Sequence, residues 1–109
     1  MDWIEIIQLK AFTGADWNAA IEAFGQLTPP LAATGLKEIN LFKNLNLENE
    51  LSILIGWRGG KPRRGKSSLG IQLATAFAEF GHIYHSGWKH SHALTLQPWR
   101  IINEQQTAV

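Results

Sequence analysis

The chain has 109 residues, enough for one domain with a buried core and too few for two. Ten Lys and Arg against nine Asp and Glu leave a net charge of +1, which supplies no general field for nucleic acid, so any basic signal is local. Cysteine is absent, which excludes disulfides, thiolate metal ligands and a Cys nucleophile and fits a reducing, cytoplasmic setting. No apolar run approaches the roughly 20 residues that span a bilayer, and the amino end carries no leader-like pattern. The expectation is a soluble, unprocessed protein without membrane or nucleic-acid partners.

In chain order, Trp3 to Phe12 is rich in β-formers, and adjacent Ile6 and Ile7 place apolar groups on both sides of a first strand. Thr13 and Asp16 form a capping box with Asp in place of Glu, and Trp17, Ala20, Ile21, Phe24 and Leu27 follow at helical spacing. Thr28, Pro29 and Pro30 end that helix. Leu36 to Leu45 reads as a second strand, with Ile39 and Leu41 on one face and Leu36 and Phe42 on the other. Asn46 to Glu50 suits a hairpin loop into Leu51, Ile53, Ile55 and Trp57, which alternate at strict period two, and so short a link makes the pair antiparallel.

A basic, glycine-rich loop comes next, and Ser67 or Ser68 caps a second helix with Leu69, Leu73, Ala76, Phe77 and Phe80 on one stripe, weakened by Gly70 and stopped by a left-handed Gly81. His82 to Gln97 is extended again. Trp88, His90, His92, Leu94 and Leu96 alternate there with polar residues, and a short extra strand over His82 to His85, turning at Gly87, is an alternative. Pro98 closes the element. One domain over residues 1–100 and a polar tail over 101–109 are expected.

The order strand, helix, strand, strand, helix, strand is the α+β, ferredoxin-like arrangement, two helices on one face of an antiparallel four-stranded sheet. Apolar residues on both sides of the first three strands leave a second face to be covered, which predicts a homodimer.

Three constellations carry possible chemistry. Gly60, Gly65, Lys66 and Ser67 fit the phosphate-loop pattern G-x-x-x-x-G-K-[ST] between a strand and a helix. A phosphate-loop domain also needs further parallel strands and an acidic metal ligand, which the remaining chain does not provide. The loop is therefore read as a solvated connection whose cations Arg58, Lys61, Arg63, Arg64 and Lys66 are open to an anionic partner. All four histidines lie between His82 and His92, with His90 and His92 on one side of a strand and His82 or His85 close by. No Asp or Glu in that segment completes a metal shell, and no metal is expected. Of five tryptophans, Trp17 reads as core, Trp88 and Trp99 as interface, and Trp57, ending a strand beside the loop, as a pocket wall.

The opening W-I-E-I-I-Q-L-K, the hairpin ending in I-L-I-G-W and the helix leading into F-G-H-I-Y-H-S together resemble the dimeric α/β-barrel superfamily and, within it, the antibiotic biosynthesis monooxygenase-like proteins. The resemblance covers residues 3–97. It implies a sheet-to-sheet homodimer and a pocket between sheet and helices for a small, mostly apolar or aromatic ligand, oxidised without a bound cofactor. Under it Trp57, His82 and His85 line or gate the pocket with a histidine as base, Arg58 anchors an anion, and His90 and His92 are further ligand contacts. The haem-degrading branch has an Asn on the first strand and a Trp and His near the second helix. This chain offers Gln8 on the first strand, and its second helix contains neither Trp nor His before His82, which speaks against haem. The alternatives are a non-catalytic binding or assembly protein using the basic loop, and nucleotide binding by that loop.

Overall fold

A computed structural model describes residues 2–28, 34–60 and 64–96. Pro29, Pro30, Lys61, Arg63, Pro98, Trp99 and the tail over 101–109 lie outside the described residues. The elements are β1 (Trp3–Ala11), α1 (Gly14–Gly25), β2 (Leu36–Lys43), β3 (Glu50–Trp57), α2 (Ser68–Phe77) and β4 (Gly81–Lys89). They form a single antiparallel sheet in the order β2-β3-β1-β4, the ferredoxin-like topology expected from the element order.

Period two in β1 places Trp3, Glu5, Ile7, Leu9 and Ala11 on one face, all buried. Leu51, Ile53, Ile55 and Trp57 of β3 join them, and α1 and α2 close this core with Ala20, Leu73 and Phe77. The cap of α1 is as the sequence predicts: Thr13 Oγ1 accepts from the Asp16 N–H at 3.1 Å and donates to Asp16 Oδ2 at 2.8 Å. In the hairpin between β2 and β3, Asn44 Oδ1 accepts from the N–H groups of Asn46 and Leu47 and so fixes the turn.

The opposite face of the sheet is left uncovered by the described residues. Ile4, Ile6 and Leu54 are half-buried there, and Phe42, Tyr84 and Trp88 are exposed. Two shallow grooves mark it, one of about 240 Å³ along Gln8, Lys10, His82 and Tyr84, the other of about 270 Å³ between Asp2, Ile4, Trp88 and His90. Among the described residues, no helix is long and apolar enough to cross a membrane.

Four expectations are corrected. β4 is a single strand that ends at Lys89; residues 90–96 carry no regular structure, and Leu94 and Leu96 are 89% and 73% exposed. Lys89 pairs with Trp3, the first residue of β1, so β4 ends level with the strand it pairs with. A register shift between Leu36 and Glu38 returns Leu36 to the helix-facing side with Ile39 and Leu41, rather than to the side of Phe42. Helix α2 ends at Phe77, with the partly buried Ala74 in the core instead of the exposed Ala76. Gly81 is no left-handed stop but the first residue of β4, where a Cβ would lie 2.1 Å from the Lys10 carbonyl oxygen.

Candidate functional site

Glu5 stands in the middle of β1 with the alternation that buries its apolar neighbours, and none of its surface reaches solvent. A carboxylate in that position is strongly unfavourable unless donors satisfy it. Four do. Trp57 Nε1 donates to Oε2 at 2.7 Å, the Ser67 N–H to Oε1 at 2.9 Å, the Ser67 hydroxyl to Oε2 at 2.5 Å, and His85 Nε2 lies 2.8 Å from Oε1. The His85 side chain is 7% exposed.

Each partner is delivered by a different element. Trp57 ends β3, diagonally across from Glu5, and its ring stacks on Trp3 at 5.8 Å. His85 lies on β4 opposite Ile7, and Gly87, opposite Glu5, carries no side chain, which lets the loop before α2 come close: a Cβ there would run into the Gly65 carbonyl oxygen. Ser67 is the N-cap of α2: its hydroxyl accepts from the Gly70 N–H at 2.9 Å while its hydrogen goes to Glu5. The positive end of the α2 dipole thus faces the carboxylate. Gly70 packs directly on it, and a Cβ there would stand 2.0 Å from Oε1. The glycine that weakens the helix in isolation is what lets the helix approach Glu5.

The phosphate-like stretch takes on a definite geometry here. Gly65 has the positive φ of 67° that a tight turn uses, Gly60 accepts a hydrogen bond from Trp3 Nε1 at 3.2 Å, and Ser67 gives both its N–H and its hydroxyl to Glu5. The anion at this helix N-terminus is a side chain of the same protein. Arg64 and Lys66 are exposed beside it.

The histidines separate. His85 points to the helix side, whereas His82, three residues earlier, points to the open face and meets the Phe12 ring edge-on at 5.0 Å. His90 and His92 lie beyond the strand and are exposed, and Arg58 is exposed directly after Trp57. Trp57 and His85 are therefore brought together, while His82, His90 and His92 are not part of their cluster. Among the described residues, no group of three His, Cys, Asp or Glu side chains could hold a metal ion. The carboxylate missing from the histidine-rich segment comes from β1. Its signal was present in the sequence: in W-I-E-I-I-Q-L, Glu5 occupies the apolar phase of the alternation, where a charge needs buried partners.

No protein-family model and no curated protein matches this sequence. Solved structures do match in fold. A dimeric ferredoxin-like protein from an uncultured marine organism aligns over 87% of this chain and 93% of its own at 13% identity, with a TM-score of 0.58. SnoaB, a cofactor-independent oxygenase from Streptomyces nogalater, aligns over 87% of this chain and 98% of its own at 14% identity, with a TM-score of 0.54. A protein assigned as an antibiotic biosynthesis monooxygenase from Bordetella bronchiseptica aligns over 85% and 98% at 14% identity, with a TM-score of 0.53. The chain thus has the ferredoxin-like fold of these dimeric and monooxygenase-type proteins.

Proposed function

We propose that this protein is a homodimer that binds a small, mostly apolar aromatic ligand between its sheet and helices and oxidises it with dioxygen, without a bound cofactor, using His85 as the base. The observation that carries the reading is the contact between His85 and the fully buried Glu5. An imidazole backed by a buried carboxylate is a recurrent means of holding a base in one orientation. The likeness in fold to a cofactor-independent oxygenase supports the same reaction class.

The chemistry asks little of the protein beyond proton abstraction. Removal of a proton from a phenol or an activated ring CH₂ leaves an anion rich enough in electrons to reduce dioxygen. A C–O bond then forms, and the resulting hydroperoxide loses water to leave a carbonyl, so that CH₂ and O₂ become C=O and H₂O. In this reading Trp57, whose N–H is already satisfied, forms the apolar wall and the exposed Arg58 after it meets an anionic substituent. The uncovered sheet face, with Phe42, Leu54, Tyr84 and Trp88, is the surface for the second copy.

Oxygen uptake with dithranol, a hydroxylated anthrone carrying an activated CH₂, tests the base. His85→Gln is expected to lower the catalysed rate by about 100-fold or more, and unchanged uptake would overturn the reading. Nucleotide binding is disfavoured by the Glu5 side chain on the Ser67 N–H and hydroxyl. Magnesium ATP should leave the melting temperature unchanged, and stabilisation abolished by Lys66→Ala would restore that alternative.

A further inference from the structure

We infer that Glu5 is a positioning residue that holds the His85 ring with its proton on Nε2 and so makes Nδ1 the atom that accepts the substrate proton. The inference rests on the reading of His85 as the base, and it follows from counting the hydrogens that converge on one carboxylate.

Trp57 Nε1 and the Ser67 backbone nitrogen can only donate. The Ser67 hydroxyl already accepts from the Gly70 N–H, so its own hydrogen goes to Oε2. Three donors, with the N-terminal end of α2 behind them, therefore converge on negative charge at Glu5. The fourth neighbour, His85 Nε2 at 2.8 Å from Oε1, meets an acceptor and must present a hydrogen to it. In the neutral imidazole that consumes the ring's single N–H, and Nδ1 is left with a free lone pair.

The same count says where a captured proton goes. Oε2 is occupied by Trp57 and Ser67, and Oε1 by the Ser67 N–H and His85. Because the other three donors favour the anionic carboxylate, a proton taken at Nδ1 stays on the ring, and the carboxylate stabilises the imidazolium by its charge without becoming the proton's destination. Dioxygen chemistry then proceeds beside a cation, and that proton is available to the leaving water.

The ring nitrogens report this directly. In long-range proton–nitrogen correlation spectra of the ¹⁵N-labelled full chain, above the pH at which the imidazoles become neutral, His85 is expected to show a pyrrole-like Nε2 and a pyridine-like Nδ1. His82 and His90, which are exposed, should give the averaged pattern of tautomer exchange, and His85→Gln identifies the His85 signal by its loss. Trp57→Phe, which removes one donor from Glu5 but not the His85 contact, should keep the His85 pattern, whereas Glu5→Leu, which leaves Nε2 without an acceptor, should abolish it. With dithranol, Glu5→Gln should lower kcat about tenfold or more while KM stays within about twofold, as expected of orientation rather than of ligand binding. A pyridine-like Nε2 in the unmodified protein overturns the inference without any variant having to fold. The expected nitrogen pattern together with full oxygen uptake in His85→Gln overturns the base and leaves only the ring's placement standing.

Discussion

Replacing Glu5 by glutamine asks whether the interior needs a charge or only a shape. A glutamine matches the size of the carboxylate but turns one of its two oxygens into a donor. Directed toward Trp57 and Ser67 Oγ, the new NH₂ opposes the indole N–H; directed the other way, it opposes the Ser67 N–H. Neither orientation is free of a buried clash between donors. Glu5→Gln should therefore lower stability by about 1–3 kcal/mol, the usual effect of stranding one buried polar group. A urea titration would show this as a lower midpoint with an unchanged slope, and an unshifted midpoint would mean that the donors find other partners. Glu5→Leu removes the charge but strands the Trp57, Ser67 and His85 N–H groups and the Ser67 hydroxyl, and should be the more damaging of the two.

The two helix caps differ in what they hold. Thr13 serves only α1, and Thr13→Ala should lower stability by about 1 kcal/mol. Ser67 caps α2 through the Gly70 N–H and also donates to Glu5, so Ser67→Ala should lose distinctly more. The excess should disappear when the two substitutions are compared in a Glu5→Gln background, a double-mutant cycle that isolates the coupling. At this scale the sequence is informative wherever one local rule suffices: the Thr13 cap and the period-two β3 are both read directly from it. It misleads where the outcome depends on a distant partner. Residues 90–96 continue the alternation of β4, but a strand needs a paired neighbour, and the pairing with β1 ends at Trp3 opposite Lys89. Glu5, Trp57, Ser67 and His85 come from positions far apart in the chain, and only the sheet register places the first two and the last side by side. No spacing rule within one segment could have assembled them. Leu94→Ser and Leu96→Ser should accordingly change stability by less than about 0.5 kcal/mol, as surface substitutions do.

For the molecule as a whole, the element order was enough to read the topology, because four strands and two helices in that succession have few un-knotted arrangements. What stands on the open face was less legible, since apolar residues there are interleaved with Gln8, Asn40 and Ser52. Phe42, Tyr84 and Trp88 are 53%, 65% and 57% exposed, and together with Leu54 they form the surface that a second copy would cover. Sedimentation velocity should therefore give twice the mass of one chain, and Leu54→Glu should halve it while circular dichroism remains native. A monomeric parent protein would remove the homodimer from the proposed function and leave the Glu5 cluster, which lies entirely within one chain, unaffected.

The fit of Gly70 against Glu5 constrains how this protein can have changed over its lineage. While the carboxylate is present, any side chain at position 70 collides with it. Once position 5 becomes small, glycine is only a defect in the helix, and alanine there is favoured by about 1 kcal/mol. The two sites should therefore be inherited together, and loss should run in one order, position 5 first and position 70 afterwards. Relatives that pair Glu with Gly at these positions would be those that keep the buried histidine partner, and a relative with Glu at 5 and a larger residue at 70 would have had to move α2 off the sheet.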